Sequence, residues 1–213
     1  MVRILTASVY LLFVCSLSIL GHEDVMAYEE AKYEVILNDG DFELRQYKPQ
    51  IVAETIVEGD FDAVGNEAFR RLFNYISGKN HKKQSIPMTA PVSQETTSEK
   101  IAMTTPVNQE KVGDRWRITF LMPSEYTMDT LPEPLDSRVV LREVPGRLMT
   151  AHSYSGTWSK VRFERKRAEL EEWIKQRNLR IIGETVFARY NPPFTPWFMR
   201  RNEVLIQVKQ TEK

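Results

Sequence analysis

The sequence predicts an α+β fold: a distorted antiparallel β-barrel flanked by two helices and built from a duplicated strand–helix–strand–strand unit. Three observations carry that expectation. Short runs rich in β-branched and aromatic residues alternate in polarity between Gly, Asn and Pro turns. Two stretches, near residues 61–76 and 158–177, carry apolar residues at helical spacing. Gly59-Asp60-Phe61 returns 97 residues later as Gly156-Thr157-Trp158, at the same strand-to-helix junction. The pseudo-repeats fall at about 31–122 and 138–210, within one domain of residues 28–213.

In chain order, Tyr33–Leu37 and Phe42–Tyr47 read as strands around the turn Asn38-Asp39-Gly40, and Ile51–Glu58 follows Pro49 as a third. Gly59-Asp60-Phe61-Asp62 opens a helix with aspartate as the expected N-cap. Phe61, Val64, Ala68, Phe69, Leu72, Phe73 and Ile76 then form one apolar face, and Gly78 can supply the left-handed cap. A tandem repeat comes next: Ile86–Glu95 returns as Ile101–Glu110, each copy extended and confined by its prolines to an edge or bulge. Arg115–Met122 alternates as a strong strand, and residues 123–137 read as a linker. Val139–Val144 and Arg147–Tyr154 are strands, and the second helix runs to about Arg177 with Phe163, Leu170, Trp173 and Ile174 inward. Leu179–Tyr190 and Val204–Lys209 close the unit as a hairpin.

The connection inside that hairpin is unusual. Pro192, Pro193 and Pro196 fix φ and remove amide donors, so the segment is neither helix nor central strand. It nevertheless carries Tyr190, Phe194, Trp197, Phe198 and Met199, more apolar surface than a solvated loop needs. Such a loop either caps its own core or roofs a flat ligand.

Lysine plus arginine equals aspartate plus glutamate at 29 each, so no global field favours nucleic acid or an acidic membrane. Residues 1–27 read as a secretory signal peptide: Arg3, the seventeen-residue apolar run Ile4–Leu20, then Val25-Met26-Ala27 as a small-residue cleavage pattern. Export to a periplasm or the medium is the expectation, and contact with a membrane would come only through an uncleaved anchor. Cys15 is the one cysteine and leaves with the leader, so disulfides, thiolate metal ligands and a cysteine nucleophile are not expected in the mature chain.

Tyr33-Glu34-Val35 with Phe42–Tyr47, Tyr75-Ile76-Ser77-Gly78-Lys79-Asn80, Pro87-Met88-Thr89-Ala90-Pro91-Val92, Tyr190-Asn191-Pro192-Pro193 and Arg200-Arg201-Asn202-Glu203 form an ordered set of motifs. On these, the chain resembles the SOUL family of heme-binding proteins over roughly residues 31–210. The resemblance implies a duplicated distorted barrel and binding of heme or a related tetrapyrrole without catalysis. The histidine that ligates iron in some members falls at Gln46, and an amide is a poor iron ligand. Other members hold heme in an apolar groove between the first helix and the proline-rich loop, with basic residues near the propionates. Those basic positions fall here on Asn66, Asn74 and Thr195, leaving Arg70, Arg71 or Arg200 as substitutes. The groove so implied comprises Asn66, Phe69, Arg70, Phe73, Met88, Met103, Phe194, Trp197, Phe198 and Arg200.

Among metal-ligating residues, His22 leaves with the leader and His81 sits in a basic turn. His152, in a strand, is a weak candidate for iron, the alternative being an ordinary hydrogen-bonded histidine. Met88 and Met103 could offer thioether sulfur to heme or simply line an apolar pocket. No multi-ligand metal spacing, serine elbow, P-loop or dinucleotide fingerprint is present. Two other functions stay open: a sensor or carrier of other amphiphilic or cationic small molecules, with Glu54 or Glu184 in the cavity, and a small-substrate hydrolase.

Overall fold

The computed structural model of the chain describes residues 28–83 and 97–211. Residues 1–27, where a leader is expected, and the first copy of the tandem repeat, Met88 included, lie outside the described residues. Strands and helices follow in the order β1 (Glu29–Glu30), β2 (Tyr33–Asp39), β3 (Phe42–Tyr47), β4 (Gln50–Val57), α1 (Val64–Ile76), β5 (Asn80–His81), β6 (Thr104–Thr105), β7 (Val107–Val112), β8 (Arg115–Leu121), β9 (Glu133–Pro134), β10 (Val140–Val144), β11 (Arg147–Tyr154), α2 (Lys160–Gln176), β12 (Leu179–Arg189) and β13 (Asn202–Gln210). A single 3₁₀ turn, Trp197–Met199, interrupts the proline-rich connection.

Nine strands form one antiparallel sheet in the order β10-β4-β8-β7-β12-β13-β11-β3-β2. The two units, β4-α1-β7-β8 and β11-α2-β12-β13, meet at β7 and β12 in the middle. Each lends its leading strand to the other: β3 pairs with β11, and β10 pairs with β4. Leaving β2 aside, the order reads the same from either end, as duplicated units exchanging strands should give. The α+β class and the distorted antiparallel sheet with two helices are as expected; among the described residues β10 and β2 each pair on one side only, so the sheet is open and not a closed barrel. Closure is unnecessary, since the helices already cover the apolar face.

Both helices lie on that one face. Ile118, Gln109 and Phe187 are cross-strand neighbours and point the same way; Ile118 packs in the α1 core and Phe187 in the α2 core. The opposite face carries a third cluster around Met149, Leu205 and Tyr190.

Local starts differ from expectation in an instructive way. Helix α1 begins at Val64 with no side-chain cap; the Asp60 backbone carbonyl, rather than its carboxylate, accepts from the Ala63 and Val64 amides. Phe61 therefore lies ahead of the helix and packs against Phe163 and Phe187 in the α2 core. Gly78 follows α1 with φ +109°, the left-handed region expected of it. In α2 the cap is Ser159, whose hydroxyl accepts from the Arg162 amide. The second repeat copy is not one extended strand: only Thr104–Thr105 and, past Pro106, the longer β7 pair with neighbours. Within the 123–137 linker, β9 pairs with β5. The edge strand β2 carries one extra residue, Ile36, between the paired positions Val35 and Leu37.

Candidate functional site

Where α1 begins, the start of the proline-rich connection approaches it and leaves a groove of about 370 Å³. One wall is α1, presenting Gly65, Asn66, Phe69 and Phe73. The floor comes from the sheet through Val107, Gln109 and Ile118, with Met103 and Thr105 beside it. The facing wall is Tyr190-Asn191-Pro192-Pro193-Phe194, and Trp158 and Arg189 complete the inner end.

The α1 wall is built by a helix whose apolar stripe is wider than its core. Val64, Ala68, Leu72 and Ile76 face the sheet and are buried, whereas Phe69 and Phe73, at the border of the same stripe, are 38% and 47% exposed. Their rings lie nearly parallel, 5.8 Å between centroids and 12° between planes, and Phe69 also stands edge-on to Phe120 at 5.3 Å. Two large stacked apolar side chains thus remain half-covered at the mouth of a cavity. On the facing wall the prolines hold the backbone without help from a regular ladder, and Tyr190 is anchored by its hydroxyl donating to Glu203 Oε2 at 2.7 Å.

Arg189 is the charged group of this lining. It sits on the same strand face as the buried Phe187, so its side chain runs over the apolar floor, with its guanidinium carbon 4.7 Å from the Phe187 ring centre and 5.2 Å from that of Trp158. Nη2 donates to Gln109 Oε1 at 2.9 Å, and Gln109 in turn donates to the Phe61 carbonyl at 3.0 Å. Nε is enclosed and has no hydrogen-bond partner among the described residues. Among the described residues no carboxylate lies within ion-pair distance of Arg189; Asp62 and the Tyr154 hydroxyl act on it only electrostatically. Burial pulls its pKa down to about 10. Gly65 makes room for it, since a β-carbon there would stand 3.1 Å from Arg189 Nη1.

Of the residues expected at the site, Asn66, Phe69, Phe73, Met103 and Phe194 come together in this groove. Phe194 is its outer lip, 85% exposed. Trp197 and Phe198 do not join them. Both lie exposed on the 3₁₀ turn, edge-to-face with each other at 5.6 Å, because the turn carries them past the groove mouth. Arg70 is exposed on α1 and outside the lining. Arg200 is taken up by its own loop, donating to the Thr195 and Pro193 carbonyls at 2.7 and 2.6 Å and stacking over Trp158 at 4.4 Å. It braces the roof instead of facing a guest.

The metal candidates lie elsewhere. Gln46 is exposed on β3, its amide donating to the Tyr47 carbonyl. His152 belongs to the α2 side: its Nδ1 lies 3.2 Å from the Lys166 carbonyl, its Nε2 3.6 Å from Glu169 Oε2, and its ring stacks on Phe42 at 4.1 Å. Burial lowers its pKa, so it is a neutral, packed strand histidine. Among the described residues no cluster of three or more His, Cys, Asp or Glu could hold a metal ion. Met103 is the one thioether in the described lining.

The strand glutamates considered as cation receptors are engaged or outside. Glu54 takes Arg142 at 2.8 Å and Arg117 at 3.5 Å, and Glu184 is exposed. The residues the sequence did not single out are Arg189, Trp158 and Gln109. A signal existed for Arg189: an arginine in step with Phe187 on a strand's buried face.

Comparison with known proteins bears on this groove. The family profile for SOUL heme-binding proteins matches residues 28–207. Heme-binding protein 2 of Homo sapiens is 31% identical over 178 residues, covering 82% of this chain and 82% of that protein. Heme-binding protein 1 of Xenopus laevis is 25% identical over 184 residues, covering 86% and 85%. Among solved structures, the EcmrR C-terminal domain superposes with a TM-score of 0.58 at 8% identity, covering 84% of this chain and 99% of that one. A hydrolase from Listeria innocua gives 0.56 at 14% identity, covering 82% and 94%. At such identities these two structures speak for the shared fold alone.

Proposed function

Because the chain belongs to the SOUL heme-binding protein family, we propose that it binds heme or a related planar apolar tetrapyrrole, without catalysis, in the groove between α1 and the proline-rich connection. The observation that carries this reading is the half-exposed, stacked pair Phe69 and Phe73, held opposite Pro192 and Pro193. A groove of about 370 Å³ is within the ordinary range for small-molecule sites, roughly 300–1,000 Å³. A flat guest that covers about 200 Å² of such apolar wall gains about 5 kcal/mol at ~25 cal/mol per Å². The apolar lining suits a flat guest such as heme, and Met103 would be the side chain in the described lining to offer an iron ligand. Heme, when bound, would bring its own iron chemistry; this chain supplies the walls, the orientation and the exclusion of water.

Charge disfavours the cationic alternative. No Asp or Glu lines the groove among the described residues, while Arg189 does. For the hydrolase alternative, turnover of a panel of simple esters by the purified protein is the discriminating assay.

Titration of hemin into the protein should give a saturable Soret change, and Phe69→Ala or Phe73→Ala should weaken it at least tenfold. Trp197→Ala should leave it within about threefold, since that ring lies outside the lining. A wild-type titration without saturation overturns the proposal. The encounter is further proposed to occur after export. N-terminal sequencing of the protein from its own host should begin near Tyr28, and a chain beginning at residue 1 or 2 would rule that out.

A further inference from the structure

Arg189 is poorly accounted for by the fold. A guanidinium laid over apolar rings gives up water at a cost, and here no carboxylate among the described residues offsets it. The contrast within the same molecule is sharp: Arg45, fully buried, is met by a bidentate Glu203 at 2.7 and 3.0 Å, whereas the partly buried Arg189 has no such partner among the described residues. Stability alone gives no reason to keep the charge at residue 189. A hydrophobic side chain of similar length would pack on Phe187 and Trp158 without the desolvation cost.

The surroundings supply that reason. The groove lining holds Arg189 and no acid, and its other polar groups include Gln109 and Asn66. Gly65 and Asn66 form the first turn of α1, the helix that has no side-chain cap. The positive end of the α1 dipole lies on that side of the groove, although the Asp60 carbonyl already takes the Ala63 and Val64 amides. Cation and apolar walls converge on one kind of guest: an amphiphile whose acid goes in beneath Trp158 and whose flat or aliphatic body lies between Phe69 and Pro193.

We infer that Arg189, at the inner end of the groove, is the seat for a ligand's carboxylate, so that the site selects amphiphilic acids as a class. The inference rests on the same groove as the tetrapyrrole reading but is wider, since heme is one such acid among several. The acid accepts from Nη1, the terminal guanidinium nitrogen that makes no hydrogen bond among the described residues and is not enclosed, while Nη2 stays with Gln109. Neutral and cationic amphiphiles of the same body forgo that contact and leave the arginine without an acid partner.

The test compares acids with their own esters on the full chain. Hemin is set against hemin dimethyl ester by absorbance, and pyrenebutyric acid against its methyl ester by fluorescence. Wild type should prefer each acid about ten- to hundred-fold, the worth of a charge-assisted hydrogen bond. Arg189→Met should abolish the preference, Arg189→Lys should keep part of it, and Arg189→Met should melt no lower than wild type, as a purely structural arginine would not allow. Equal binding of acid and ester by wild type, or a preference that survives Arg189→Met, overturns the inference. If hemin binds with no dependence on Arg189, the acid seat falls and the tetrapyrrole reading stands. If pyrenebutyrate shows the dependence and hemin does not bind, the tetrapyrrole reading falls and the acid seat stands. If neither probe binds wild type, both fall.

Discussion

Glu203 is fully buried behind Tyr190, and its carboxylate accepts from Arg45, Arg201, Tyr190 and Ser153. Burial alone would push its carboxyl up, yet the two arginines and the Tyr190 hydroxyl hold it at about 2. A carboxyl lowered on folding contributes stability that is present above its unfolded value of 4.5 and is lost as pH falls through about 2. A depression of this size corresponds to about 3 kcal/mol. Urea unfolding should therefore show a falling midpoint between pH 4.5 and 2 that is missing from Glu203→Gln. At neutral pH that variant should lose about 3–5 kcal/mol, because it strands Arg45 in the interior; a loss below 1 kcal/mol would show that the pair is not held as described. His152 acts in the same direction with pH but for another reason, since here it is the charged form that folding disfavours. Its pKa is lowered by burial, so the folded chain takes up its proton later than the unfolded one, and this histidine withdraws stability as pH drops below 6.5. An NMR titration of its ring resonances should show a midpoint below 6.5.

Helix α1 divides its work between two edges of one stripe. Leu72→Ala opens the core and should cost about 2–5 kcal/mol. Phe69→Ala and Phe73→Ala should cost much less in stability while acting on binding, and equal losses in thermal melts would refute that division. In α2, removing the Ser159 hydroxyl should cost about 1 kcal/mol. The core edge of α1 was legible because Val64, Ala68, Leu72 and Ile76 keep strict helical spacing. Phe61 was misread by the same logic: it continues the period backwards, but the chain has not yet entered the helix there. Strand positions were legible to within one or two residues at most boundaries, since alternation and turn residues are local signals. The fates of Trp197 and Phe198 were not local, because a 3₁₀ turn between prolines decides which way those rings go.

For the molecule as a whole, the two recurring units were visible in the sequence, but the exchange of β3 and β10 between them was not. That exchange makes the centre, β7 against β12, and the centre makes the site. Arg189 meets Gln109 only because those strands pair, and nothing in either strand announces its partner. The same architecture predicts how the protein opens. Amide exchange should be slowest in β12 and β13, paired on both sides within buried clusters, and fastest in β10 and β2, which have one partner each. Slow exchange in β2 would contradict the open sheet. That outer strand carries a further consequence, since Val35, Ile36 and Leu37 are all solvent-facing on a ladder with no outer neighbour among the described residues. An extra residue such as Ile36 bends an edge strand and disfavours its pairing with a second copy. Deleting it would straighten the border, and the shortened chain should stack copy upon copy at concentrations where the parent stays monodisperse.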